Sequence, residues 1–102
     1  DMEERYRLII STILNAIGCQ VEVEHMLSTG RIDIVASTSR FIYVVELKLS
    51  NNGGINAAEK QIIDNGYLKP FLADDRKVIG LAVELDDMGK GLIDWKEVQN
   101  KQ

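Results

Sequence analysis

The apolar residues of the chain recur with two different periods, which predicts a helix followed by strands. From Glu3 to Ile17 they recur every three or four positions, as on one face of an amphipathic helix, and Gly18 is well placed to end it. The predicted apolar stripe consists of Tyr6, Ile9, Ile10, Ile13, Leu14 and Ile17. From Gln20 to Leu27, apolar and acidic residues alternate, which predicts a strand with one solvated face.

Two more strands are predicted after the turn at Ser28-Thr29-Gly30. The strand from Arg31 to Ala36 is expected to carry Ile32, Ile34 and Ala36 on one side and Arg31, Asp33 and Val35 on the other. A turn at Ser37–Arg40 leads to the strand from Phe41 to Leu49. This strand is almost wholly apolar and β-branched, so it is predicted to be central and covered on both faces.

The second half of the chain predicts a helix and one or two further strands. A loop at Ser50–Gly54 precedes a helix from Ile55 to about Leu68, and Pro70 prevents much continuation. Lys77 to Leu85 is predicted as a strand, and Gly91 to Val98 as a short edge strand. The order α-β-β-β-α-β, with this extra strand, predicts an α/β fold with a mixed central sheet flanked by helices.

Composition narrows the class of protein. The 102 residues fit a single domain over residues 1–102, and the beginning Asp1-Met2 suggests a fragment of a longer chain. One Cys and one His allow no internal disulfide, argue against a zinc cluster and favour a reducing, cytoplasmic location. No apolar run approaches the ~18 residues that a membrane span needs. The net charge of -4 argues against a strong nonspecific nucleic-acid binder.

Three charged residues interrupt apolar strands. Glu46 and Lys48 lie two positions apart and therefore share a face of the central strand, where charges are costly unless they are paired or metal-bound. A hairpin centred on the Ser37–Arg40 turn places Asp33 within about one residue of Glu46. A plain Glu–Lys pair at the solvated end of the strand is one interpretation. The other is a site for a hard cation such as Mg²⁺, held by the two carboxylates, with the lysine acting on a phosphate or an attacking water.

This pattern resembles the D…(D/E)xK signature of the PD-(D/E)xK nuclease superfamily, and the element order resembles its restriction-endonuclease-like αβββαβ core. The similarity includes Glu24, the strings Gly30–Val35 and Val45–Lys48, Gln61 and Tyr67. Together these residues look like the PD-(D/E)xK domains found at the C-terminus of bacterial AAA-ATPase-like proteins. The resemblance implies that Asp33 and Glu46 bind Mg²⁺ or Mn²⁺, that Lys48 is catalytic, and that Glu24 completes the metal site. It also implies that Gln61 and Tyr67 act near the site.

Several of these roles have simpler structural alternatives. Gln61 could be a solvated helix residue and Tyr67 a packing residue, while Glu24 could face water or pair with Arg31. Sites of this superfamily often include a glutamate from the first helix, and here Glu3 or Glu4 could serve in that role. The chain also departs from the family pattern, because Tyr6-Arg7 stands where a Tyr-His pair is expected and Ile32 replaces the proline before Asp33.

Two functions of different classes follow. The first is a nuclease domain that hydrolyses nucleic-acid phosphodiesters, with DNA favoured, through a Mg²⁺-activated water. The second is a catalytically silent binding or regulatory module with a nuclease fold, attached to an N-terminal ATPase domain. The net charge and the absence of a basic patch favour the silent module. The presence of all three charged residues, Asp33, Glu46 and Lys48, favours the nuclease. A homodimer, formed through edge strands such as Gly91–Val98, is a further hypothesis.

Overall fold

Residues 1–99 form two helices and five strands, in the order that the hydrophobic pattern predicts. A computed structural model describes residues 1–99, so the last three residues of the predicted domain lie outside the described residues. The elements are α1 (Met2–Ala16), β1 (Gln20–Leu27), β2 (Gly30–Ser37), β3 (Phe41–Leu49), α2 (Gly54–Asp64), β4 (Lys77–Leu85) and β5 (Leu92–Val98), with short 3-10 turns at Ser50–Asn52 and Lys69–Phe71.

The five strands make one mixed sheet in the order β1-β2-β3-β4-β5. Neighbouring strands are antiparallel except β3 and β4, which are parallel and are connected through α2. A parallel connection requires a crossover, and α2 supplies it. The predicted αβββαβ core with an added edge strand, and the central position of β3, are therefore confirmed.

The buried side of α1 differs from the predicted stripe. Tyr6, Ile10 and Leu14 do pack on the sheet, in a cluster with residues of β2, β3 and β4. Ile9, Ile13 and Ile17, in contrast, are 54%, 55% and 71% exposed, so that half of the predicted stripe is wrong. The buried side is instead the one that carries Tyr6 and Arg7, both less than one tenth exposed. Relative to the predicted orientation, the helix is rotated about its axis so that Arg7 faces the sheet. The ion pairs of Arg7 with carboxylates of β1 and β2, described below, fix this orientation.

The helix α2 ends earlier than predicted, at Asp64 instead of about Leu68. Gly66 follows with φ 62°, a conformation that glycine adopts readily. The N–H of Gly66 donates to the carbonyl of Ile63 and that of Tyr67 to the carbonyl of Ile62, which is the hydrogen-bond pattern of a Schellman C-cap. This stop turns the chain so that Tyr67 enters the core beside Ile62.

The sheet separates two apolar clusters, one beneath each helix. The cluster beneath α2 includes Ile32, Val44, Ile62 and Tyr67, and the cluster beneath α1 includes Tyr6, Ile34 and Leu47. Cys19 packs at the edge of the α1 cluster, as expected of a small core residue. None of the helices within residues 1–99 is long and apolar enough to cross a membrane.

Candidate active site

The strands β2 and β3 separate at Asp33. Their antiparallel pairing ends with Ile34 opposite Val45. Ile32 then packs in the cluster beneath α2 although Ile34, two positions away, packs beneath α1. The prediction that Ile32 shares a face with Ile34 and Ala36 is therefore wrong, because the strand changes face at Asp33. Opposite Asp33 on β1, Glu24 has φ 55°, which is uncommon for a residue with a side chain.

Carboxylates fill the space that this separation opens. Oδ2 of Asp33 accepts a hydrogen bond of 2.9 Å from the N–H of Leu47, and a carboxylate oxygen of Glu46 accepts a longer one of 3.4 Å from the N–H of Asp33. Backbone groups that would otherwise remain unpaired in the protein interior are satisfied in this way. The two acidic side chains lie next to each other, as the hairpin register predicts.

Glu46 is the most confined charge of the site, with 2% of its surface exposed. Burial, and after it the neighbouring charge of Asp33, raises the pKa of Glu46 from its ordinary value of 4.5 to about 8. The N–H of Asp33 and the ammonium of Lys48 act in the opposite direction and do not compensate. A buried carboxylate that lies beside a second one and has no ion pair within residues 1–99 is an arrangement that a bound cation would stabilise.

Lys48 extends from the same strand two residues later and lines the cleft in front of the carboxylates. Within residues 1–99, no carboxylate lies within salt-bridge distance of its ammonium group. Its charge is therefore not neutralised by a direct ion pair and is available to an anionic group in the cleft.

The cleft has a volume of about 630 Å³ and lies between the β1–β2 turn, the end of β3 and the C-terminal half of α2. Five of the six predicted site residues line it: Asp33, Glu46, Lys48, Gln61 and Tyr67. Of the two candidate first-helix glutamates, Glu3 lines the cleft. Glu4 instead lies 3.6 Å from the N-terminal ammonium group, and its exposed side chain points elsewhere.

Glu24, the remaining predicted residue, is held by Arg7, and its Oε1 also lies 3.9 Å from Nη1 of Arg31, the partner that the sequence offered as an alternative. Nη2 of Arg7 lies 2.7 Å from Oε1 of Glu24, and Nη1 lies 3.1 Å from Oδ1 of Asp33. Glu24 is not among the residues that line the cleft. Within residues 1–99, no three Asp, Glu, His or Cys side chains are grouped so as to hold a metal ion. Asp33 and Glu46 are adjacent carboxylates that line the cleft and could hold a cation.

Arg7 is the site residue that sequence reasoning did not select. The helical spacing does indicate that Arg7 faces the sheet, because it precedes Ile10 by three positions and Leu14 by seven, and both of these pack against the sheet. A charged residue at such a position is costly unless its partners are also buried nearby.

Tyr67 and Gln61 belong to a hydrogen-bond network behind the cleft. The hydroxyl of the fully buried Tyr67 donates to the carbonyl of Arg31 at 3.1 Å. It accepts from Nε2 of Gln61 at 3.1 Å and from Nδ2 of Asn65 at 3.3 Å. A Cβ atom on Gly30 would approach this hydroxyl to 2.6 Å, so a glycine is required there. The network fixes the β1–β2 hairpin two residues from Asp33.

Taken together, a mixed sheet between two helices, with two carboxylates and a lysine where its strands separate, defines a nuclease-like domain. The family model of the PD-(D/E)XK nuclease superfamily matches residues 1–95, and the chain belongs to this superfamily. Searches of curated proteins and of solved structures gave no match.

Proposed function

We propose that the domain is a metal-dependent nuclease that hydrolyses nucleic-acid phosphodiester bonds, with DNA as the favoured substrate. The observation that carries the proposal is the pairing of the buried Glu46 with the half-buried Asp33 in an open cleft, beside Lys48, which makes no ion pair within residues 1–99. An excess of buried negative charge is suited to a cation, and a cationic side chain next to it is suited to a phosphate. Membership in a nuclease superfamily supports the same conclusion.

Asp33 and Glu46 would hold the cation, and their chemistry fits a hard divalent ion. Both offer carboxylate oxygens, the ligands that Mg²⁺ and Mn²⁺ prefer, and nucleases of this superfamily generally use divalent metals. Such a cation, when bound, would lower the pKa of a water molecule bound to it and would neutralise charge on phosphate oxygens. Glu24 is proposed to act indirectly, through Arg7, because its carboxylate is already paired.

Lys48, Gln61 and Tyr67 would bind the phosphate and position the site. Lys48 lines the cleft, and its ammonium group would orient a scissile phosphate and stabilise the negative charge that develops on it. Glu46 and Lys48 are fixed relative to each other because they stand on one strand. Gln61 and Tyr67 are positioning residues, since the tyrosine hydroxyl is engaged in three hydrogen bonds that connect α2 to the β1–β2 hairpin.

The direct test is cleavage of single- and double-stranded DNA and RNA in the presence of Mg²⁺ or Mn²⁺. Lys48→Met keeps the length of the side chain and removes its charge, and we expect it to lower the cleavage rate by about 10²–10³-fold. Lys90→Met, a substitution at an exposed turn outside the cleft, is the matched control and should cleave at the wild-type rate. Wild-type cleavage by Lys48→Met and by Glu46→Ala would contradict the proposal.

A second candidate is a catalytically silent nuclease-fold module that serves an attached ATPase domain. The net charge of -4 favours it, because a domain that binds nucleic acid by itself usually presents a basic surface. Calorimetric titration with Mg²⁺ and Mn²⁺ separates the two candidates. Binding that Asp33→Ala/Glu46→Ala abolishes would support the nuclease. Absence of binding at millimolar metal, together with absence of cleavage, would support the silent module.

A further inference from the structure

Three carboxylates, those of Glu24, Asp33 and Glu46, lie in a row, and only the first two contact Arg7. On one side, the guanidinium bridges Glu24 of β1 and Asp33 of β2, at 2.7 and 3.1 Å. On the other side, Glu46 lies beside Asp33 without an ion pair of its own within residues 1–99. Oδ1 of Asp33 thus faces Arg7, while Oδ2 is directed to the backbone of β3 at Leu47.

Arg7 is nearly buried and is held by two ion pairs, unlike a typical surface arginine. The side chain of Arg7 is 10% exposed, and two of its nitrogens are fixed by carboxylates from two different strands. Glu24 takes a left-handed backbone conformation, φ 55°, within a strand. Strained residues of this kind persist only where their surroundings hold them, and they are frequent at functional sites.

The charge of Arg7 is permanent, because a guanidinium is not deprotonated in proteins. A divalent cation placed between Glu24 and Asp33 would have to displace this group or lie against it. The guanidinium therefore occupies, with a single charge, the place where a second cation would otherwise share Asp33.

We propose that Arg7 is a built-in cation which restricts the site to one divalent ion per chain, held by Asp33 and Glu46, and which excludes a second ion between Asp33 and Glu24. This inference rests on the proposed metal-dependent function. Arg7 is in this sense a positioning residue, because it orients Asp33 and withdraws Glu24 from coordination.

The experiment is a Mn²⁺ titration of the purified chain, with free Mn²⁺ measured by electron paramagnetic resonance. Wild type should bind one Mn²⁺ per chain. Arg7→Met, which has a long side chain without charge, should bind two, and adding Glu24→Gln to it should restore a stoichiometry of one. Arg5→Met, an exposed arginine of the same helix, is the matched control and should bind one.

Two bound ions in wild type, or one bound ion of unchanged affinity in a folded Arg7→Met, would overturn the inference. Arg7→Lys guards against loss of folding in the methionine variant. It keeps one positive charge at the position, so it should bind one Mn²⁺, and binding of two would again overturn the inference. Absence of Mn²⁺ binding by every variant would instead contradict the proposed metal site itself, which distinguishes the two failures.

Discussion

Replacing Glu46 with glutamine should change how the stability of the metal-free domain depends on pH. The amide has nearly the shape of the carboxyl group and keeps an oxygen that can accept from the N–H of Asp33. It removes the charge that is buried beside Asp33. The substitution therefore tests the electrostatic cost of the site while changing the packing little.

The sign and size of the effect follow from the raised pKa of Glu46, about 8 in the folded protein against an ordinary 4.5. Between these two pH values the folded state keeps a proton that the unfolded state has released, so wild type loses stability as the pH rises from 4.5 to 8. Each tenfold difference in a proton dissociation constant corresponds to about 1.4 kcal/mol. The whole displacement then amounts to roughly 5 kcal/mol, a large part of the ~5–15 kcal/mol that stabilises a typical domain.

The assay is urea unfolding in the presence of a chelator at pH 5, 7 and 9, for wild type and Glu46→Gln. The two proteins should differ little at pH 5, and the variant should be the more stable one by several kcal/mol at pH 9. Glu97→Gln, at an exposed position of β5, is the control and should follow wild type at every pH. Adding Mg²⁺ or Mn²⁺ at pH 9 should recover stability in wild type alone, since a ligand that binds only the folded state stabilises it.

One result would refute this reasoning. If the free energy of unfolding of Glu46→Gln had the same pH dependence as that of wild type, Glu46 would not be a buried and poorly neutralised carboxylate in the folded protein. The electrostatic case for a cation between Asp33 and Glu46 would then lose its basis.

Three further predictions concern the surroundings of the site. Tyr67→Phe should lower the free energy of unfolding by about 1–3 kcal/mol in urea titrations, because buried hydrogen-bonding groups lose their partner; unchanged stability would contradict a structural role of the hydroxyl. Gly30→Ala should cost about 1–3 kcal/mol, through the contact of its Cβ with that hydroxyl and through the positive φ of 156°; the part due to the contact should disappear in a Tyr67→Phe background, as a double-mutant cycle would measure. The hydroxyl of Ser50, and after it the N–H of Ile55, lower the pKa of Glu84, so the carboxylate stabilises the fold above its ordinary pKa and the benefit disappears as the pH falls through the lowered value. The melting temperature of Glu84→Gln should accordingly lie below that of wild type at pH 7 and approach it as the pH falls through the lowered pKa, and a gap that stays equal over the whole acid range would contradict this.

The strands could be predicted closely from the sequence, whereas the helices were predicted less well. β1, β3 and β4 begin and end at the predicted residues, because alternation and β-branched runs mark a half-buried or buried strand directly. The stripe on α1 was misplaced because isoleucines lie on two neighbouring sides of the helix, and hydrophobicity alone does not distinguish them. The end of α2 was missed because the cap depends on the left-handed conformation of Gly66, which is a backbone property.

The site could be predicted where it depends on register and could not where it depends on partners from distant segments. Centring the hairpin on its turn brings Asp33 beside Glu46 without any knowledge of the rest of the fold. The pairing of Arg7 with Asp33 joins residues 26 positions apart on different elements, and no period in the sequence encodes it. The change of face at Asp33 likewise arises from the separation of two strands.

That separation has a consequence for how related domains should be compared. The carboxylate of Asp33 serves as a backbone acceptor for β3, so its loss would leave the N–H of Leu47 without its partner whether or not the domain cleaves anything. A descendant that has given up catalysis therefore still has a structural reason to keep an aspartate at this position. Lys48 makes no ion pair within residues 1–99, so chemistry is the clearest reason to retain it. Among homologues, we therefore expect Lys48 to separate working enzymes from inactive descendants better than Asp33 does.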